Sequence, residues 1–303
     1  MALLDLVIIG GGPAGMTAAI YARRKGLSFR LVTETIGGYM SKSGILENYP
    51  GYTRISGPEL AGKMDDQLEN FNVSIDQDRV YSVRAEGDHY RVLTDGGREY
   101  ETLSVVVATG SHWRELEVPG EEEYKNKGVS YCTTCDAPLF AGMDVAVVGG
   151  GNSAGEAVLD LCNIANRVYM IVRSTIKADR VTADKIRASD KVEVFEGYTV
   201  LKIEGKDFVE SMDIQSKSGE RKTLSVGGVF VEIGLNPNTG FIKDLVKLND
   251  KGEIIIDEYC RTSAKGIFAC GDVSTVPQKQ IVVAAGEGAK AAMAAYAYVN
   301  TMK

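Results

Sequence analysis

Two hydrophobic patterns take turns along this chain: short unbroken apolar runs, and stretches in which apolar and polar positions alternate. Leu4 to Ile9 belongs to the first kind and reads as a strand buried on both faces. Met16 to Lys25 then has helical spacing and Ser28 to Thr33 reads as a second strand, so strand, glycine turn, helix and strand follow in the order of a Rossmann unit. Ser104 to Ala108 is a further buried strand, ending at Thr109-Gly110. The pattern then recurs: Asp144 to Val148 is a strand, Ser153 to Ile164 a helix, Arg167 to Val172 a strand, and Val229 to Ile233 a late strand ending at Gly234. The first copy spans 100 residues from Gly10 to Gly110 and the second 85 from Gly149 to Gly234, a duplication on the scale of a domain rather than of a solenoid repeat.

The alternating stretches, Val80 to Ala85, Tyr90 to Thr94, Val200 to Ile203 and Val209 to Ile214, predict a small antiparallel layer inserted in each copy. After Gly240 come predicted strands at Glu253 to Ile256 and Gly266 to Ala269, and a long helix from about Gln280 to Val299, all outside the second copy. The economical assembly returns this tail to the first domain. The predicted fold is α/β: two Rossmann-like three-layer dinucleotide-binding domains, the second (residues 115–242) inserted into the first (1–114 and 243–303).

Composition narrows the class without naming a reaction. Hydrophobic content of 44% and charged content of 25% are ordinary for a globular chain. A net charge of -7 with no basic block argues against a nucleic-acid or anionic-membrane partner. No apolar run approaches the roughly 20 residues that span a bilayer, and Met1 to Asp5 carries no basic leader or cleavage site, so a cytoplasmic protein is expected. Of five cysteines, Cys162, Cys260 and Cys270 stand singly in apolar segments and read as small buried hydrophobes, whereas Cys132 and Cys135 form a C-x-x-C.

Each glycine turn has a chemical reading. In Gly10-Gly11-Gly12-Pro13-Ala14-Gly15 the backbone can approach a pyrophosphate at the start of a helix. Glu34 lies 19 residues after Gly15, where an acid accepts from ribose hydroxyls. Cys270-Gly271-Asp272 ends a strand, where Asp272 could bond a ribitol chain or the second phosphate region of a flavin, or simply form a turn. The second turn runs Gly149-Gly150-Gly151-Asn152-Ser153-Ala154, and the same count of 19 from Ala154 lands on Arg173. A cation there suits the 2′-phosphate of NADP, with Lys177 and Arg180 as candidate helpers; the alternative for all three is a solvated surface charge.

The Cys132/Cys135 pair could be a zinc half-site, a structural disulfide or a redox couple. Zinc needs two more ligands, but the other cysteines are isolated and the histidines are only His89 and His112, so no metal is expected. A cytosolic chain disfavours a staple, which leaves cycling. Asp136, next to Cys135, could shuttle a proton to or from a thiolate or cap a short helix, and the two roles are compatible.

Taken with Glu47-Asn48-Tyr49-Pro50-Gly51, Ala108-Thr109-Gly110 and Gly271-Asp272-Val273, these motifs resemble, in order and spacing and over nearly the whole chain, the low-molecular-weight thioredoxin reductase family. Trp113-Arg114, Val118-Pro119-Gly120-Glu121, Pro138-Leu139-Phe140 and Val276-Pro277-Gln278-Lys279-Gln280 look most like the flavoprotein component of alkyl hydroperoxide reductase, which carries a further N-terminal dithiol region. The resemblance implies FAD on the first domain and tail, contacted by Gly10, Gly12, Pro13, Ala14, Gly15, Glu34, Gly38, Asn48, Gly110, Gly271 and Asp272, with Gln280 and Ile281 near the isoalloxazine. It implies a nicotinamide nucleotide on Gly149, Gly151, Asn152, Ser153, Ala154 and Arg173. It implies a redox-active disulfide Cys132/Cys135 in which Cys132 attacks the partner and Cys135 exchanges electrons with the flavin, Asp136 as acid, a homodimer, and an inserted domain that swings on its connectors.

The family's His-Arg-Arg phosphate segment is here Val172-Arg173-Ser174: Arg173 favours NADPH, while the lost cations count against it and leave NADH, or neither nucleotide, as further cases. The family's Gly-Gly-Gln is Gly37-Gly38-Tyr39, which places an aromatic ring near the flavin. The leading expectation is an FAD-dependent disulfide reductase serving thioredoxin or a glutaredoxin-like dithiol protein. The alternatives are the same dithiol chemistry fed by ferredoxin or reduced flavin, and a non-catalytic flavin redox sensor.

Overall fold

The computed structural model describes residues 2–303 and divides into two compact units, one formed by 2–112 with Asn236–Lys303, the other by Trp113–Leu235. In the first unit a five-stranded sheet has the spatial order Ile267–Ala269, Val105–Val107, Leu6–Gly11, Phe29–Ile36, Ile75–Gln77. Every neighbouring pair is parallel, with Leu6 opposite Phe29 and Val7 opposite Val105. Because side chains alternate across a strand, the unbroken apolar runs supply two cores at once. Leu6, Ile8, Leu31, Val106 and Phe268 pack against the helices Pro13–Arg24, Gly57–Asn70 and Ile281–Asn300. Val7, Ile9, Val32, Val105 and Val107 point the other way, onto Val80, Val83 and Val92 of an antiparallel layer, Val80–Glu86, His89–Thr94 and Glu99–Thr102.

The second unit repeats the plan. Its parallel sheet runs Val129–Ser130, Gly228–Val231, Asp144–Val148, Arg167–Val172, Val192–Glu196. Val145, Val147, Val168 and Met170 face Val158 and Leu161 of the helix Asn152–Cys162. Ala146, Val148, Ile171 and Val229 face Ile203, Met212 and Ile214 of the antiparallel strands Tyr198–Gly205, Val209–Ser216 and Arg221–Ser225. The expected α/β fold with two Rossmann-like three-layer halves is the fold observed.

Three details differ from the sequence reading. The return crossing falls at 235/236 rather than 242/243, because Asn238 binds Thr109 and Gly110 and Ile242 belongs to the core of the first unit. Glu253 to Ile256 is not a strand: Ile254 alone makes bridges, to Leu248 and Ser274, since only its side chain is fully buried in the core. The antiparallel layers each have a third strand, Glu99–Thr102 and Arg221–Ser225. Leu224 is the one buried position of the latter, too little to register as alternation.

Among the described residues no helix is long and apolar enough to cross a membrane.

Candidate functional site

The first glycine turn is shaped by steric need on one side and openness on the other. Gly10 has φ +110°, and a Cβ there would lie 2.3 Å from the Ala108 carbonyl oxygen; a Cβ on Gly15 would lie 1.8 Å from that of Gly10. These glycines let the turn fold flat between two strands. Gly12 is different: a Cβ would meet nothing within 4 Å, and no side chain caps the helix that starts at Pro13. No side chain therefore satisfies the first helical amides, and Gly12 leaves room beside them, as at a helix start that receives an anion.

Three glycines are brought to this turn, Gly37, Gly38 and Gly271. Gly37 donates its N–H to the Gly11 carbonyl at 2.8 Å, and Gly38 stacks on Gly12, where a Cβ would sit 3.2 Å from the Gly12 Cα. Gly271 rests against Ala14, and Asp272 follows it. Burial pushes the Asp272 carboxyl above its ordinary range against the pull of the Lys279 ammonium, while Glu253 adds to the rise. Lys279 is itself anchored to Glu253 at 2.9 Å. Asn48 donates to the Gln280 side chain at 3.3 Å, and Ile281 begins the last helix. Glu34 is exposed near the end of the strand Phe29–Ile36, with its carbonyl held by Gln77. The donor set, a glycine cradle with an uncapped helix start and a half-buried carboxylate beside it, fits a dinucleotide such as FAD.

Sequence reasoning missed Asn238, which clamps the neighbouring loop: its N–H and side-chain amide donate to the Gly110 and Thr109 carbonyls, and its own carbonyl accepts the Thr109 hydroxyl at 2.8 Å. The Pro237-Asn238-Thr239 triplet was the available signal. His112 bonds Asn236 and Asn238. Glu86, His89 and Glu101 lie close enough together to hold a cation. Arg91 pairs with both carboxylates, which makes the group a charge network.

In the second unit Gly149 has φ +149° and a Cβ there would lie 2.3 Å from the Glu232 carbonyl oxygen, whereas Gly151, the uncapped start of the helix Asn152–Cys162, opens onto nothing within 4 Å. Asn152 accepts the Asp179 N–H at 2.9 Å, and Ser153 and Ala154 continue the first helical turn. Arg173 is exposed just past the strand Arg167–Val172, as is Lys177; Arg180 pairs with Asp184 at 3.7 Å. This cradle fits a second dinucleotide.

The same unit carries the disulfide. Cys132 and Cys135 are joined, with Cα atoms 5.3 Å apart, across a short helix Thr133–Asp136 that follows the strand Val129–Ser130. The Ser130 hydroxyl donates to Asp136 at 2.6 Å and accepts the Cys132 N–H at 3.1 Å, so one serine fixes both the acid and the first cysteine. Burial pushes the Asp136 carboxyl above the usual carboxylate range, and the Ser130 bond opposes the rise. A carboxyl so placed holds a proton at higher pH than an exposed aspartate, as a proton donor to a leaving thiolate must. Next to Cys132, Tyr131 donates to Glu121 at 2.8 Å and stacks on Trp113. Glu121 also accepts the Leu116 and Glu117 N–H groups.

Two dinucleotide cradles and a dithiol couple on one chain define a pyridine-nucleotide-linked disulfide oxidoreductase. The chain belongs to the pyridine nucleotide-disulphide oxidoreductase family, whose model matches residues 4–288. It is 39% identical over 306 residues to the F component of alkyl hydroperoxide reductase from Escherichia coli (strain K12), covering 99% of this chain and 59% of that protein, so it spans little more than half the length of the curated relatives it matches. The solved thioredoxin reductase of Streptococcus pyogenes MGAS5005 is 43% identical, with 99% of both chains covered and a TM-score of 0.94. A ferredoxin-flavin thioredoxin reductase of Clostridium acetobutylicum is 30% identical, with 100% of this chain and 99% of that chain covered and a TM-score of 0.56.

Proposed function

We propose that the chain is an FAD-dependent disulfide reductase that takes two electrons from a nicotinamide nucleotide, NADPH in preference to NADH, and delivers them through Cys132/Cys135 to thioredoxin or a thioredoxin-like carrier, working as a homodimer. The observation that carries this reading is the half-buried disulfide with Asp136, its carboxyl pushed up by burial, tied to it through Ser130, on a unit that also bears an open dinucleotide cradle. FAD, when bound, supplies the two-electron relay; Gly10, Gly12, Pro13, Ala14, Gly15, Gly38, Gly271 and Asp272 would hold it. This chain's own part is to position and protonate. Cys132, held by Ser130 through its N–H, meets the carrier disulfide. Cys135 completes the couple, and Asp136 gives a proton as the mixed disulfide opens and takes it back on reclosure.

The likeness to the alkyl hydroperoxide reductase component supports a carrier that in turn serves a peroxide-reducing protein. The solved ferredoxin-flavin thioredoxin reductase supports a second reading, the same dithiol fed by ferredoxin, and the exposure of Arg173 and Lys177 beside an Arg180 already paired with Asp184 favours it over a fully formed phosphate clamp. A steady-state assay with the chain, FAD and oxidised thioredoxin separates these readings. Oxidation of NADPH that depends on thioredoxin supports the first. Turnover with reduced ferredoxin and none with either nucleotide supports the second, and no thioredoxin reduction from any donor refutes both.

A further inference from the structure

Glu232 lies one residue past the strand Gly228–Val231 and touches both halves of the second unit's chemistry. Its N–H donates to the Val148 carbonyl at 2.8 Å, and its carbonyl is the atom that forbids a side chain at Gly149. Its side chain turns to the redox helix: the Thr133 hydroxyl donates to its carboxyl at 2.8 Å, with the Thr133 N–H adding to the pull. Thr133 is buried and directly follows Cys132 in the redox turn, so the carboxyl is tied to the turn that carries the disulfide. The charged group on the helix packed against it is Glu156, a like charge. Asp136 is engaged by Ser130, and Arg114 lies opposite Gly234 two residues on, its N–H donating to the Gly234 carbonyl. Burial, with Glu156 adding to it, pushes Glu232 up to about 7, against the two Thr133 donors.

We infer that Glu232 is a positioning residue for the Cys132/Cys135 couple, acting through Thr133: its carboxylate pins the redox turn to the strand end and sets a negative charge beside the sulfurs, discouraging thiolate formation. The inference rests on the reading of this pair as a cycling couple. When the disulfide opens it gains two electrons and two protons. A neighbouring carboxylate raises the cost of the thiolate, so the reduced pair stays protonated and is a stronger reductant toward its carrier above neutral pH. Below that range Glu232 takes up a proton and the restraint of charge is lifted.

The test needs neither nucleotide nor carrier, so it stands apart from the donor and acceptor assignments. Dithiothreitol, which becomes a cyclic disulfide as it donates two electrons and two protons, reduces the full chain without oxygen. After its removal the iodoacetamide alkylation rates of Cys132 and Cys135 are followed by mass spectrometry from pH 5.5 to 9 in the native chain, E232Q and T133V. Removing the charge is expected to lower the reactive thiol's pKa by about one pH unit, raising the thiolate fraction about tenfold where little is ionised. The accompanying loss of intrinsic nucleophilicity leaves a rate gain of about threefold near pH 8. The native and E232Q rates should converge below about pH 6. T133V, which removes one donor from Glu232 and keeps its charge, should move that convergence to higher pH. Superimposable profiles for the native chain and E232Q, or profiles displaced equally at every pH as a purely structural effect would give, overturn the inference. So does a T133V convergence that fails to move.

Discussion

The carboxyls around the disulfide give the most specific expectations at the residue scale. Burial raises the Asp136 carboxyl above the range of an exposed aspartate and suits it to proton donation, so D136N should lower turnover of the carrier by about 10²-fold, the lower end for a lost general acid, while leaving the rate of flavin reduction by the electron donor near native. Stopped-flow absorbance resolves the two half-reactions, and an equal loss in both would remove Asp136 from the proton path. Glu232 has a stability consequence of definite sign. Its native value of about 7 stands above the ordinary 4.5, so between those values the folded state binds the extra proton and stability falls as pH rises from about 4.5 to about 7, then levels. At about 1.4 kcal/mol per pH unit the loss is on the order of 3 kcal/mol, and E232Q should remove most of that slope in denaturant unfolding across the range. A slope unchanged in E232Q would mean the carboxyl ionises normally. Cys132, Cys135 and Asp136 were legible in the sequence because they are contiguous or nearly so. Glu232 and Ser130 were not, because nothing in a linear string marks which strand end will fold back onto the cysteine turn.

The glycines of the two turns separate into those the fold needs and those a ligand needs, and this is a contrast between elements. The last helix packs on the first so closely that a Cβ on Gly288 would lie 2.0 Å from the Ala14 carbonyl oxygen. G288A should therefore cost several kcal/mol and lower the melting temperature whether or not flavin is present. G12A should do the reverse: its φ of -76° is ordinary and its Cβ meets no protein atom, so the melting temperature without flavin stays near native while flavin affinity falls at least tenfold. Differential scanning fluorimetry with and without FAD checks both, and a G12A chain that binds flavin normally would detach that turn from the cofactor. The strand–turn–helix units were readable because a buried parallel strand must be apolar on both faces. The helix Arg180–Ala188 was not: it buries only Ala183 and Ile186, so little of its length shows an apolar stripe. Glu253 to Ile256 misled for the opposite reason, since apolar residues there serve core contacts and two bridges without a ladder.

For the whole molecule, the claim is that electrons pass from nucleotide to the Cys132/Cys135 pair by way of the first unit's cofactor. The most direct measurement is an anaerobic titration of the flavin-loaded chain with NADPH and separately with NADH, reading the flavin absorbance and counting alkylatable Cys132 and Cys135 at each addition. NADPH is expected to bleach the flavin at lower concentration than NADH, both cysteines to become alkylatable as the electrons are taken up, and oxidised thioredoxin to restore the disulfide. A flavin that bleaches while Cys132 and Cys135 remain joined would contradict this electron path, because the disulfide would then lie outside it.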